Sequence, residues 1–300
     1  MVAHSTKPRF GTLLTAMVTP FTDEGAVDLD AAQKLAAHLV DGGNDGLVVT
    51  GTTGETPTLT DDENVAMFKA VMEAVGDHAA VIAGTGTNDT AHSINLSRRA
   101  QEVGVDGILL VTPYYNKPSQ AGVRAHIEAI ADATDVPVML YDIPGRTGIP
   151  METDTIVALS QHERIIALKD AKGNLLETTK VIARTDLDVY SGDDGMTLPL
   201  MAIGGKGVVS VTAHVAAPQY RALVDAALAG DFETARRLHF ELDPVQRALM
   251  THIQGAIAAK QVLHWQSVLP NSVVRLPLVQ PTAEELNPIK ADLAEAGWEI

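Results

Sequence analysis

Lys169 closes an apolar run, Ile165-Ile166-Ala167-Leu168, and is followed by Asp170. If the run is a β-strand with Ile166 and Leu168 on one face, Lys169 lies on the other with Ala167. A lysine turned into an apolar interior is costly as the ammonium. Burial lowers its pKa and leaves an amine that can attack a carbonyl carbon. The alternative is a strand-end lysine that snorkels into water or pairs with Asp170 or Asp193. Gly51-Thr52-Thr53-Gly54-Glu55 offers hydroxyls and backbone amides to a carboxylate, between glycines that permit close approach; it also reads as a plain βα turn. Tyr115 and Tyr141 are either proton carriers or amphipathic packing residues. Arg146, in Ile143-Pro144-Gly145-Arg146, is either a clamp for a carboxylate or a solvated loop charge.

Other patterns carry less. Gly84-Thr85-Gly86 lacks the third glycine of a dinucleotide loop. Gly204-Gly205-Lys206-Gly207 resembles the end of a phosphate loop, but Leu200 replaces its first glycine and Gly207 its hydroxyl residue. No Gly-x-Ser-x-Gly elbow occurs. The ten histidines are dispersed and there is no cysteine, so no metal site is read. Asp193-Asp194 after a strand reads as a helix N-cap pair rather than a cation site.

These residues must be held by an ordered scaffold. Apolar runs fall at 13–18, 46–50, 81–84, 107–112, 137–141, 165–169, 188–191 and 207–212. Helical patterns separate them, the first over 28–40 and the second opened by Thr60-x-x-Glu63, which reads as a capping box. Strands apolar on both faces with helical crossovers imply a parallel sheet. Eight such units fit a (β/α)8 TIM barrel, typically about 250 residues, better than an open doubly wound sheet. Residues 1–230 are read as the barrel and 231–300 as a C-terminal helical extension. In such a barrel chemistry sits at the C-terminal ends of the strands. Thr52, Thr53, Asn88, Tyr114, Tyr115, Tyr141, Arg146, Lys169 and Gly192 all follow or end apolar runs.

Composition narrows the function. The 300 residues carry 22 basic and 38 acidic side chains, a net charge of −16, which disfavours a nucleic-acid partner. No run reaches the roughly 18 apolar residues of a membrane span, and Met1–Phe10 lacks the apolar core of a signal peptide. A soluble cytoplasmic protein is expected.

Gly51-Thr52-Thr53-Gly54-Glu55, Tyr114-Tyr115-Asn116-Lys117-Pro118, Tyr141-Asp142-Ile143-Pro144-Gly145-Arg146, Lys169-Asp170-Ala171 and Ser191-Gly192-Asp193-Asp194, in that order, resemble the dihydrodipicolinate synthase family. The resemblance implies a Schiff-base class I aldolase on a (β/α)8 barrel with a helical extension. It implies pyruvate and aspartate 4-semialdehyde as substrates and no cofactor beyond the pyruvate imine on Lys169. By resemblance Tyr141 is the general acid/base. Thr53 and Tyr115 complete its proton relay, with Tyr115 coming from a neighbouring subunit of a homotetramer built as a dimer of dimers. Thr52 and Thr53 hold the pyruvate carboxylate, and Arg146 holds that of the semialdehyde. Gly192 and the Val209 carbonyl line the pyruvate site. Asn88, His92 and Tyr114 correspond to a pocket for feedback inhibition by lysine. There His92 stands where lysine-sensitive members carry glutamate, so weak or no inhibition is expected. The related alternatives are N-acetylneuraminate lyase and keto-deoxy sugar acid aldolases, which share the lysine and the tyrosine. A catalytically silent barrel with a binding role is the alternative from another class.

Overall fold

The computed structural model describes residues 8–298; Met1–Lys7, most of the polar N-terminal stretch, and Glu299 and Ile300 lie outside the described residues. Eight parallel strands close in chain order into a barrel. They are β1 (Leu13–Ala16), β2 (Gly46–Val49), β3 (Ala80–Gly84), β4 (Gly107–Val111), β5 (Val138–Asp142), β6 (Ile165–Asp170), β7 (Asp188–Ser191) and β8 (Gly207–Ser210). Closure is made at β1, where Leu14 is level with Gly46 on one side and Val209 on the other. The crossovers are α1 (Leu29–Asp41), α2 (Asp61–Val75), α3 (Thr90–Val103), α4 (Gln120–Asp132), the single turn α5 (Pro144–Thr147), α6 (Thr153–Leu159), α7 (Leu175–Arg184), α8 (Thr197–Ala202) and α9 (Ala213–Leu228). The helices α10 (Phe232–Met250), α11 (Gly255–Trp265) and α12 (Ala283–Glu295) follow.

Alternation along the strands builds two apolar layers. Leu14, Val48, Ile82, Leu109, Met139, Tyr190 and Val209 fill the interior, while Leu13, Leu47, Val81, Ile108, Leu140 and Val208 meet the helices. This double burial is why the strands read as continuous apolar runs. β6 departs from the expected parity. Val138 pairs with Ile165 but Met139 with Ala167, so Ile166 is an extra residue in the ladder. Ile166 therefore packs toward the interior and does not share a face with Leu168. Beyond the irregularity alternation resumes, with Leu168 outward and Ala167 and Lys169 inward.

Local chemistry starts the helices where the sequence indicates. Asp28 caps α1, and Thr60 and Glu63 form a reciprocal capping box on α2. α9 opens at Ala213, earlier than Pro218 suggests, because a kink at Ala216 precedes the proline. The turn α5 has no apolar periodicity to betray it. The extension has no separate core: Leu242, Val245, Leu249, Val262, Leu263, Ile289 and Leu293 belong to the same apolar cluster as the outer barrel layer.

The β8–β1 seam depends on Gly207. Its φ is +155°, and a Cβ there would sit 1.8 Å from the Thr12 carbonyl oxygen, which accepts the Val208 amide at 3.0 Å. Gly207→Ala should therefore prise the seam open and cost about 3 kcal/mol or more. A urea midpoint unchanged by the substitution would contradict the seam.

Candidate active site

A cavity of about 950 Å³ opens at the C-terminal ends of β2 to β5. Thr52, Tyr114, Tyr115, Tyr141 and Arg146 lie on its wall with the apolar Leu109, Val111 and Ile143. Polar residues reach this rim because each apolar strand ends in a turn that need not be buried on both faces. Tyr141 ends the inward parity of β5, and Arg146 is carried out on α5.

Lys169 lies beside Tyr141 on the adjacent strand, in ladder register with it. Its side chain is only 5% exposed, and Nζ lies 4.4 Å from the centroid of the Tyr141 ring. Burial brings its pKa from 10.5 down to about 8; the Asp194 charge opposes that shift and the Arg146 guanidinium adds to it. Of the alternatives, snorkelling is removed by the burial. Asp170 accepts instead from the Thr178 hydroxyl at 2.7 Å and the Lys172 amide at 3.0 Å, and Asp193 accepts from the Gly195 amide at 3.0 Å. Gly192 packs directly on the lysine stem: a Cβ there would lie 2.9 Å from Lys169 Cγ and 3.1 Å from Cε. Val209 is buried in the interior layer that holds Tyr141 and Ala167. Neither Lys169, Gly192 nor Val209 is on the cavity wall; they lie around and beneath Tyr141.

Burial also raises the Tyr141 pKa, with a hydrogen bond from the Thr52 side chain and the charge of Arg146 pulling the other way. The hydroxyl beside the Tyr141 phenol is thus that of Thr52. Thr53, expected in the relay, is buried and off the cavity wall. Tyr115 is 88% exposed with φ +72°, so within this chain it does not reach Tyr141 as a hydrogen-bond partner. The Asp193-Asp194 pair divides its work. Asp193 caps a short 3₁₀ turn over Asp194–Met196, as an N-cap would. Asp194 is instead buried and accepts from the Ser210 hydroxyl and from the Val211 and Thr212 amides at 2.9 and 3.1 Å. It ties the end of β7 to the end of β8, a role no local pattern announces.

Of Asn88, His92 and Tyr114, Tyr114 lies on the cavity wall and Asn88 is against it, while His92 lies at the start of α3. The Asn88 backbone hydrogen-bonds the Tyr114 hydroxyl, whose pKa burial raises. His92 Nε2 lies 2.7 Å from Asp61 Oδ1. Among the described residues no group of three His, Asp or Glu side chains is placed to hold a metal, and no helix is long and apolar enough to cross a membrane.

Comparison with known proteins agrees with this geometry. The dihydrodipicolinate synthetase family matches residues 9–296. The 4-hydroxy-tetrahydrodipicolinate synthase of Kineococcus radiotolerans is 55% identical over 96% of this chain and 94% of its own length. The 4-hydroxy-tetrahydrodipicolinate synthase 2 of Streptomyces coelicolor is 55% identical over 97% of both chains. Among solved structures, the dihydrodipicolinate synthase of Cyanidioschyzon merolae with lysine bound superposes with a TM-score of 0.94 at 41% identity, over 97% of this chain and 99% of that one. With its closed parallel barrel and the match along nearly its whole length, this chain belongs to the dihydrodipicolinate synthetase family.

Proposed function

We propose that the chain is a 4-hydroxy-tetrahydrodipicolinate synthase, a lyase condensing pyruvate with L-aspartate 4-semialdehyde in lysine and diaminopimelate biosynthesis, in the cytoplasm. Relatives 55% identical over nearly the whole chain carry that name. The observation that carries the reading is a buried amine, its pKa near 8, against a phenol at a cavity whose wall bears an exposed arginine.

In this reading Lys169 Nζ attacks the C2 carbonyl of pyruvate. The carbinolamine hydroxyl leaves as water, with Tyr141 supplying the proton. Its raised pKa keeps the phenol protonated at neutral pH, and so a donor. The imine is an electron sink, so the reaction as written needs no separate cofactor. A methyl proton is lost through Tyr141 and Thr52, giving an enamine whose carbon bonds to the aldehyde carbon of the semialdehyde. The substrate's own amine then displaces Lys169 and closes the ring. Thr52, between Gly51 and the Thr53 amide, holds the pyruvate carboxylate; Arg146 holds the carboxylate of the semialdehyde. Among enzymes that share the lysine and tyrosine, this arginine favours the synthase.

Tyr115 supports an assembly in which a neighbouring subunit receives it. An aromatic ring exposed to water on a left-handed backbone is unfavourable twice over, and covering the ring offsets the cost. We read the assembly as a homotetramer, a dimer of dimers.

Borohydride reduction with pyruvate should leave one adduct, on Lys169, and incubation with both substrates should yield the cyclic product. An adduct on Lys172, or none, would sink the mechanism. The trapping rate should rise with pH and level near 8. Below that the ammonium predominates and cannot attack; above it the amine is free. A limb climbing on toward 10.5 would mean that the lysine is not desolvated.

Arg146→Ala should raise KM for the semialdehyde about ten- to a hundred-fold, the worth of a charged hydrogen bond, and change KM for pyruvate far less. Equal effects on both substrates would refute its assignment.

The relative from Cyanidioschyzon merolae holds lysine. Here His92 lies against Asp61 at 2.7 Å, and a lysine ammonium would have to compete for that carboxylate. Lysine should inhibit weakly or not at all. Half-inhibition of initial rates below about 1 mM, equivalent to binding by about −4 kcal/mol, would show that the exchange is tolerated.

A further inference from the structure

The C-terminal extension reaches back to the turn that carries Thr52. Lys260, on α11, is 1% exposed. Its Nζ lies 2.5 Å from Glu55 Oε1, donates to the Val273 carbonyl at 2.8 Å and sits 4.1 Å from the centroid of the Phe21 ring. Glu55 is itself 3% exposed, and its other oxygen accepts the Arg275 amide at 3.0 Å. The Arg275 guanidinium forks onto Glu63 at 2.9 and 2.5 Å and donates to the Thr58 carbonyl and the Gly25 carbonyl, each at 2.9 Å. It too lies over Phe21, with Cζ 4.5 Å from the ring centroid. The contacts to Glu55, Thr58 and Glu63 join residues more than 200 positions apart in the chain.

Glu55 adopts φ +56°, a left-handed conformation unfavourable for a side chain of its size. Such a residue persists only where its surroundings over-determine it. Its backbone also leaves little slack toward Thr52: the Glu55 amide donates to the Thr52 carbonyl at 3.2 Å, and the Gly54 amide to the Gly51 carbonyl at 3.0 Å. Gly54 is wedged against Thr50, where a Cβ would sit 2.9 Å from Cα, and its carbonyl accepts the Thr19 hydroxyl at 2.7 Å. A shift of the Glu55 backbone would therefore carry the turn with it. Without Lys260 the Glu55 carboxylate would be a buried charge offset only through space by the Arg275 guanidinium, and movement of Glu55 toward water would be its relief.

We propose that Lys260 and Arg275 are positioning residues for the reaction: by gripping Glu55 and Glu63 they fix the Gly51–Glu55 turn, and so keep the Thr52 hydroxyl in register with the Tyr141 phenol for proton transfer. The extension is then a strap across the proton-transfer site as well as packing on the barrel. The inference rests on the relay described under the proposed function.

The test uses Lys260→Met, Arg275→Met and Arg275→Lys in the full chain, assayed below the melting temperature of each. Three quantities are read: kcat, exchange of the pyruvate methyl protons for deuterium from solvent, and the pyruvate concentration for half-maximal borohydride trapping on Lys169. A strap predicts that kcat and methyl exchange fall together, on the order of ten- to a hundred-fold. Half-maximal trapping should shift less than kcat and exchange do, because imine formation takes its proton from Tyr141 itself and loses only the Thr52 contact to the pyruvate carboxylate, whereas methyl exchange loses that contact and the relay together. Arg275→Lys, which keeps the charge but loses the fork, should recover part of the loss. Folded variants with a lower melting temperature but the parent's kcat and exchange would overturn the proposal, as would trapping lost in proportion to kcat. If Lys260→Met does not fold, Arg275→Met decides by the same readouts, since its guanidinium lies at the partly exposed edge of the network. A parent protein that exchanges no methyl protons would remove the relay itself, and the strap with it; variants that match an exchanging parent overturn the strap alone.

Discussion

Desolvation of the Lys169 amine is the constraint on which the rest of the site depends. Bringing its pKa from 10.5 to about 8 leaves about a tenth of the amines free at pH 7, against about one in three thousand for an ordinary lysine. That gain requires an apolar surrounding that does not collapse on a polar side chain. A barrel interior closed by hydrogen bonds on every strand provides it, since no edge strand is left through which water could reach the amine. The irregularity at Ile166 matters for the same reason. It re-sets the parity of β6 so that Leu168 meets the helices while Lys169 lies level with Tyr141.

Charge is arranged against the field of the whole molecule. At −16 the protein should repel the anionic substrates proposed for it. The cation on the cavity wall nearest Lys169 and Tyr141 is Arg146, which lowers the pKa of both. One guanidinium can thus attract a carboxylate, keep the amine unprotonated and ease ionisation of the phenol. Asp194 works in the opposite sense on the amine and is the larger of the two charge effects, and the hydrogen bonds it accepts from Ser210 and two backbone amides favour its ionised form. Burial outweighs both charges.

What the sequence discloses follows interaction range. Strands show as apolar runs because both faces are buried, and caps such as Thr60-x-x-Glu63 show because their partners are three residues apart. Lys169, Tyr141 and Arg146 are legible because each ends an apolar strand or follows it closely. The hydroxyl beside the Tyr141 phenol in the structure is that of Thr52, and which of two adjacent threonines in a glycine-flanked turn takes that place is not legible in the sequence. Asp194 passes for a cap because its real partners, Ser210 and the amides after it, lie on the next strand. Lys260 carries no local signal at all: a lysine in a helix rich in alanine reads as solvated, and only closure against Glu55 makes it buried.

The β2–α2 turn proposed to present the Thr52 hydroxyl contains glycines, which favour many conformations. Strand ladders fix it only as far as Val49, and Thr52 lies beyond their reach. Loop contacts such as that of Thr19 hold Gly54 from one side, but the exposed side needs a partner that the eight-fold repeat does not supply. Lys260 and Arg275 enter from outside the repeat, and their charges turn a turn with backbone freedom into one tied at both carboxylates, Glu55 and Glu63. The Glu63 carboxylate, its pKa held near 2 chiefly by Arg275, caps α2 through the Thr60 amide as well. One arginine therefore ties the helix start through its guanidinium on Glu63 and the turn before it through its amide on Glu55, so that contacts from the C-terminal extension, and not the barrel alone, hold this strand end.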